Sequence, residues 1–472
     1  LPNIFDYVNA EEVSPRFDPQ LFNFDDPKRP LTTQEVKQMR FNQVLVTFGL
    51  IEEPLDIVRT EQVIDFIYQL YPPLDSIVEF DEELQWFRYK PQKHVPFKIP
   101  PERETVTSLQ QLTSYFERCD HFFTETSFTH WMLIKANIPE LPAVKQILIT
   151  FIPHTFMGGL SCNLVFKIFN QIYSSNTDLH SRPEPAQQSF FRSITALDRF
   201  QLKAAPSLKI AQTIKTTKAT GDLPHDLNAT PNVASNVYLV PTNQFFKVPG
   251  YTFTQSLNAV YLAQYAAYCY FHKDLQLNEE FTLTYTDIRD IGDFLIQNGN
   301  IPKLDFKKHL GMRAAIIAFL VKGNTETTIE ELLQQIQQSY EKFAQTSNES
   351  KLMRYASYEF NSILKHYPVA CVSLNVSNVG KNDLANGPIV QAFQHTTCSF
   401  QEMPQFLYIW PLINSGKYGS IICNAASPEI SKKQQDFIVQ ITVIIHNLIK
   451  NNGACNLKVS DIVQLYQNQF NE

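Results

Sequence analysis

Glycine is scarce in this chain, at 14 of 472 residues. Neither GxxxxGK followed by Ser or Thr nor GxGxxG occurs, which removes glycine-rich phosphate-binding loops from consideration. No run of Lys and Arg exceeds two residues and the formal net charge is -7, so a nucleic-acid partner is not expected. Long apolar runs are absent as well. The longest, Phe437 to Ile449, is interrupted by Gln440, His446 and Asn447 and falls short of the ~18 residues that span a bilayer. Seven cysteines stand at wide spacing without a CxxC. An odd count of that kind argues for reduced thiols in the cytoplasm rather than a disulfide framework or a structural zinc site. No signal peptide is visible at Leu1, and residues upstream of it stay an open question.

What is present is ordinary globular material, 44% hydrophobic and 18% charged, enough for two or three domain-sized cores. Periodicity predicts a strand at 41–50 and a helix at 59–70 with Thr60 as N-cap. It predicts paired strands at 128–136 and 144–151, and a helix from about 159 to 173. Residues 174–234 lose periodicity and turn rich in Ser, Thr, Ala, Asn and Pro. Order returns with a helix at 255–270 capped by Thr254, strands at 281–286 and 312–321, and a capping box at Thr327–Glu330. A helix at about 349–365 follows, then a strand at 369–376 that ends in Ser377-Asn378-Val379-Gly380. A strand pair turns at Asn414-Ser415-Gly416, and a helix covers about 431–450. The resulting division is an N-terminal domain at 1–175, a crossover linker at 176–235 and a C-terminal domain at 236–472.

The segment that stands out is Phe151-Ile152-Pro153-His154-Thr155-Phe156-Met157-Gly158-Gly159. An apolar strand precedes it. A helix follows with Leu160, Leu164, Ile168 and Ile172 at i,i+4 spacing. A histidine held between two rigid elements, with small residues behind it, suits a general base. A lone histidine at a strand end is more often structural, and the other candidates are weaker. His121 and His130 stand near strand ends outside any motif, His366 suits a helix C-terminus, and His225 falls in the crossover. Cys162 and Cys371 would line a channel or simply pack.

The collinear set of motifs changes the weighing. A strand, His-x-x-x-Gly-Gly, a helix, a long crossover, a second strand-and-helix domain and a late Ser-Asn-x-Gly resemble the CoA-dependent acyltransferases that carry an HxxxD motif. That superfamily has the chloramphenicol acetyltransferase-like fold, and plant acyltransferases and peptide-synthetase condensation domains share it. Ser377-Asn378-Val379-Gly380 and Tyr71-Pro72-Pro73-Leu74 look most like fungal alcohol acetyltransferases. The resemblance implies an α/β architecture of two similar domains, each a mixed sheet flanked by helices, with a channel between them. It implies His154 as general base, with acetyl-CoA or another acyl-CoA as co-substrate and no metal. Asn375, Ser377, Asn378 and Gly380 would serve the oxyanion or the substrate. The acceptor would be a small or lipid-like alcohol or amine and the chain a monomer, cytoplasmic, with peripheral contact to endoplasmic reticulum or lipid droplets left open.

One departure matters. The superfamily's aspartate, four residues after the histidine, is Gly158 here. In relatives that carboxylate pairs with an arginine of the second domain and shapes the histidine loop. Asp287-Ile288-Arg289 resembles the partner segment, so Arg289 would need another partner, such as Asp287. Gly159 keeps its place and permits close helix packing. The alternative is a catalytically degenerate relative that acts as a binding or scaffold module.

Overall fold

The computed structural model describes residues 28, 31, 44–83, 86–91, 96–100, 104–117, 129–154, 157–181, 234–241, 244–271, 276–290, 314–345, 373–375, 377–381, 384–397, 409–426, 431–452 and 455–470. The chain is a mixed α/β protein whose first sheet is built around β1 (Val44–Ile51). Val44, Val46, Phe48 and Leu50 face one core, and Leu45 and Ile51 face another. Both faces are covered, so the strand reads as a nearly unbroken apolar run.

Helix α1 (Ile57–Leu70) packs on the Leu45 face through Val63, Ile64 and Ile67. Its N-cap is Asp56, whose Oδ1 accepts from Arg59 N at 2.8 Å. Thr60, expected to cap, lies inside the first turn and bonds back to the Asp56 carbonyl. The hairpin β2 (Ser76–Asp81) and β3 (Trp86–Pro91) and the short strand β4 (Thr105–Val106) follow. A 3-10 turn, Leu109–Thr113, leads into the single-turn helix α2 (Ser114–Glu117). Strands β5 (His130–Ala136) and β6 (Gln146–Pro153) pair antiparallel, as the periodicity predicts. Helix α3 (Gly159–Ser174) then buries Cys162, Val165, Phe166 and Phe169 against Trp131 and α1.

Past the crossover come β7 (Ala234–Val240), α4 (Phe253–Phe271), β8 (Phe281–Asp290), β9 (Ala314–Gly323) and α5 (Ile329–Ala344). Next are β10 (Ser373–Asn375), β11 (Ser377–Lys381), β12 (Ile389–Thr397), β13 (Ile409–Gly416), β14 (Gly419–Ala426), α6 (Lys432–Asn452) and α7 (Val459–Phe470). Three of these helices open on reciprocal caps of the Ser/Thr-x-x-Glu/Gln kind. The pairs are Thr252 with Gln255, Thr328 with Glu331, and Ser431 with Gln434. The first two correct the expected caps. Thr254 is helical, and the box at α5 sits one residue later than Thr327–Glu330. The hairpin turn also shifts, to Lys417-Tyr418 between the paired Gly416 and Gly419. The helix expected at 349–365 and most of the 176–235 linker lie outside the described residues.

The first sheet runs β12-β1-β6-β5-β4, the second β11-β13-β14-β7 and the third β10-β8-β9. Strand β12 comes from the 236–472 segment yet is paired along its length with β1. The sheets therefore do not separate along the sequence boundary. Phe393 of β12 and the Val44 face of β1 share one core with Val237, Leu412, Ile421 and Cys423 of the second sheet. A clamp at its rim strengthens the join. The Gln391 side chain on β12 donates to Gly419 O and accepts from Tyr418 N at 2.8 Å. Glu52, just past β1, accepts from Lys417 and Tyr418.

Candidate active site

His154 follows β6 directly, at the turn before α3. The strand is buried on both sides, so the turn starts from a fixed point. The residue is half-buried, but its Nδ1 is shut off from solvent and has no hydrogen-bond partner. Burial drives the imidazole down to about pKa 4, and backbone groups of His154 and Met157 work the other way. The ring is therefore neutral at pH 7, the state a base must have.

Helix α3 begins at Gly159 with Gly158 as N-cap. The Gly158 backbone is extended (φ -82°, ψ 165°), and no side chain caps the helix there. The Gly158 carbonyl accepts from Ser161 N and Cys162 N. Gly159 lies against Gln394 of β12. A methyl added at Gly159 would run into Gln394 Nε2, with Cδ at 3.2 Å. Cys162 is buried and desolvation pushes its thiol up to about 12, so it is no nucleophile at neutral pH.

The late polar stretch is more than the end of the strand expected at 369–376. Ser377–Lys381 is itself strand β11, parallel to β13. Asn378 spends its amide on α4, donating from Nδ2 to Thr254 Oγ1 at 2.9 Å. Asn375 of β10 pairs in parallel register with Thr286 of β8. The pairing ends there, one residue before Asp287, and Ser377 belongs to the other sheet, beside β13. The side chains of Asn375, Ser377, Asp287 and Arg289 lie outside the described residues, as does Cys371. Among the described residues no hydrogen bond joins His154 to either segment.

Two residues of β12 escaped the sequence reading. His395 is 1% exposed, and its Nε2 lies 3.1 Å from Ser235 Oγ. Gln394 is 1% exposed, and its Oε1 has no partner. The available signal was the alternation of Gln391, Phe393 and His395 along a strand-length run. No group of three or more His, Cys, Asp or Glu able to hold a metal occurs among the described residues. No described helix is long and apolar enough to cross a membrane.

No family model matches the chain, and no curated protein sequence matches it. Solved structures do. The first condensation domain of the CDA synthetase shares 12% identity at a TM-score of 0.58, over 93% of this chain and 99% of that one. Polyketide synthase associated protein 5 from Mycobacterium tuberculosis shares 11% at 0.60, over 89% and 98%. A variant of the starter condensation domain of rhizomide synthetase, in complex with C8-CoA and Leu-SNAC, shares 13% at 0.54, over 91% and 95%. The fold is that of the condensation domains. It spans nearly the whole chain and agrees with the two-lobed acyltransferase-like architecture expected from the motifs. At such identities the likeness is one of fold.

Proposed function

We propose that this chain transfers an acyl group from an acyl-CoA thioester to the hydroxyl or amine of a small or lipid-like acceptor, with His154 as general base. The observation that carries the proposal is a neutral imidazole at the β6–α3 junction, in a fold whose relatives include one solved with C8-CoA. Nδ1 is sealed, which leaves Nε2 to meet the acceptor. As the acceptor oxygen or nitrogen attacks the thioester carbonyl, its proton becomes acidic and passes to Nε2. The oxyanion then collapses, the carbon–sulfur bond breaks, and the imidazolium returns the proton to the departing thiolate. A ring with a low pKa is a modest base for the first transfer and a strong acid for the last. Donors for the oxyanion are proposed from the Asn375–Gly380 stretch.

The finer reading takes acetyl-CoA as donor and an alcohol acetyltransferase-like reaction. It rests on the Ser-Asn-x-Gly and Tyr-Pro motifs, with the chain working as a cytoplasmic monomer. The absence of any side chain at Gly158 favours a second reading, a binding module that has lost turnover.

Thiol release from acetyl-CoA and octanoyl-CoA, with a panel of alcohols and amines, separates the two. The enzyme reading expects turnover that falls about 100-fold or more in His154→Ala. Equal rates in wild type and variant overturn it. Acyl-CoA binding without turnover establishes the second reading.

A further inference from the structure

We propose that Gln394 is a positioning residue for His154, the group that fixes the His154–Gly159 turn where no carboxylate stands at position 158. The inference rests on the reading of His154 as the base and deepens it.

Gln394 meets the turn at its helix end. There its carboxamide occupies the space that a side chain at Gly159 would fill, with Cδ at 3.2 Å and Oε1 at 3.4 Å from that point. Within the sheet Gln394 is the direct register partner of Thr47 on β1, and Thr47 that of Thr150 on β6. Directly opposed residues share a sheet face and stand ~5 Å apart. Gln394, Thr47 and Thr150 thus form one buried row on the face that α3 covers. Thr150 lies four residues before His154.

The wedge cannot swing aside into solvent, because Gln394 is 1% exposed. Its Oε1 takes no hydrogen bond, so satisfying that oxygen is not what keeps a glutamine here. An unsatisfied buried carbonyl costs stability; the shape it gives the turn is the compensating use. Helix α3 is fixed to β12 a second time by Asn170. Its Nδ2 donates to Ile389 O at 2.8 Å and to Leu384 O at 3.0 Å, and its Oδ1 accepts from Ile389 N at 3.0 Å. With the far half of the helix anchored there, Gln394 bears on the N-terminal half, the one that the His154 turn leads into.

The test uses the full chain and compares Gln394→Ala, Gln394→Met, Gly159→Ala and the double variant Gly159→Ala/Gln394→Ala. Gln394→Ala is expected to lower kcat about 10- to 100-fold, with KM for the acyl-CoA within about twofold of wild type. Met, of similar length, rescues. In the double variant the methyl introduced by Gly159→Ala enters the space vacated by the carboxamide, so its kcat exceeds that of Gly159→Ala alone. A second readout needs no turnover. At pH 7 the rate of His154 carbethoxylation by diethyl pyrocarbonate, followed by peptide mass spectrometry, should rise several-fold in Gln394→Ala and stay unchanged in Gln394→Met. Circular dichroism confirms that each variant folds. A folded Gln394→Ala with wild-type kcat and wild-type carbethoxylation overturns the proposal. A wild type that turns over no acyl-CoA overturns the function reading instead, and the carbethoxylation arm still decides this one.

Discussion

His395 of β12 and Ser235 of β7 meet across the two sheets, with Nε2 and Oγ 3.1 Å apart. The imidazole is shielded further by the Phe116 ring at 3.9 Å, and its Nδ1 has no partner. Burial pushes its pKa down to about 3, and the same cause holds His154 and His446 near 4.

The sign of the pH effect follows. Above the unfolded value of 6.5 these rings are neutral in both states and cost nothing. Below 6.5 the unfolded chain takes up protons that the folded chain refuses, so stability falls as the pH drops from 6.5 toward about 4. Each ring contributes at most about 1.4 kcal/mol per pH unit in that window. Urea melts at pH 7.5, 6.0 and 5.0 are expected to show this decline. His395→Gln, which keeps a hydrogen-bonding group for Ser235 and removes the titration, should make the slope shallower. An unchanged slope would show that His395 does not titrate on unfolding.

The rim clamp gives a comparison between a buried contact and an exposed one. Gln391 is buried and serves two backbone groups of the β13–β14 turn. Replacing it with Leu strands Gly419 O and Tyr418 N, at a cost of about 1–3 kcal/mol. Glu52→Gln removes the charge beside the exposed Lys417 and keeps an acceptor for Tyr418, and is expected to cost under about 1 kcal/mol. Chemical denaturation should rank them in that order; a larger loss from Glu52→Gln would show that the surface pair dominates the join.

How far these features were legible in the sequence depends on how local their causes are. The β6–His154–α3 unit was legible because strand and helix periods abut within one short segment. The Ser/Thr-x-x-Glu/Gln caps carry an equally local signal, yet adjacent threonines made the α5 cap ambiguous by one residue. The packing at α1 was readable and its cap was not, since Asp56 and Thr60 both suit an N-terminus. Strand β12 was missed for a different reason. Its buried polar residues, Gln391, Gln394 and His395, are held there by partners on β1, α3, β7 and the β13–β14 turn. Polar residues on a buried strand read as surface until those partners are known. The late Ser377–Lys381 segment failed similarly, because its parallel pairing with β13 is non-local.

Asn170 illustrates how much one such partner can hold. It is fully buried in α3 and makes three hydrogen bonds to the backbone of the β12 approach. Asn170→Leu would leave Leu384 O and both backbone groups of Ile389 without it, at a cost of about 3 kcal/mol or more. Gly387, whose missing side chain makes room for Asn170, should be similarly intolerant of Ala. Denaturant midpoints measure both, and a loss below about 1 kcal/mol for Asn170→Leu would mean that the strand re-pairs without it.

Gly158→Asp restores the carboxylate that the motif lacks. The backbone at Gly158 is an ordinary extended N-cap conformation, so aspartate enters without strain. As an N-cap its carboxylate would accept from backbone N–H groups at the start of α3 and sit favourably at the positive end of the helix. The expected gain is a few tenths of a kcal/mol, up to about 1. A new anion near His154 also favours the imidazolium, so the acid limb of the kcat profile should move to higher pH. Activity at pH 7 is expected to be preserved or raised. A Tm below that of wild type would show that the turn has no room for the side chain. An acid limb unmoved in a stabilised variant would place the carboxylate beyond electrostatic reach of the ring.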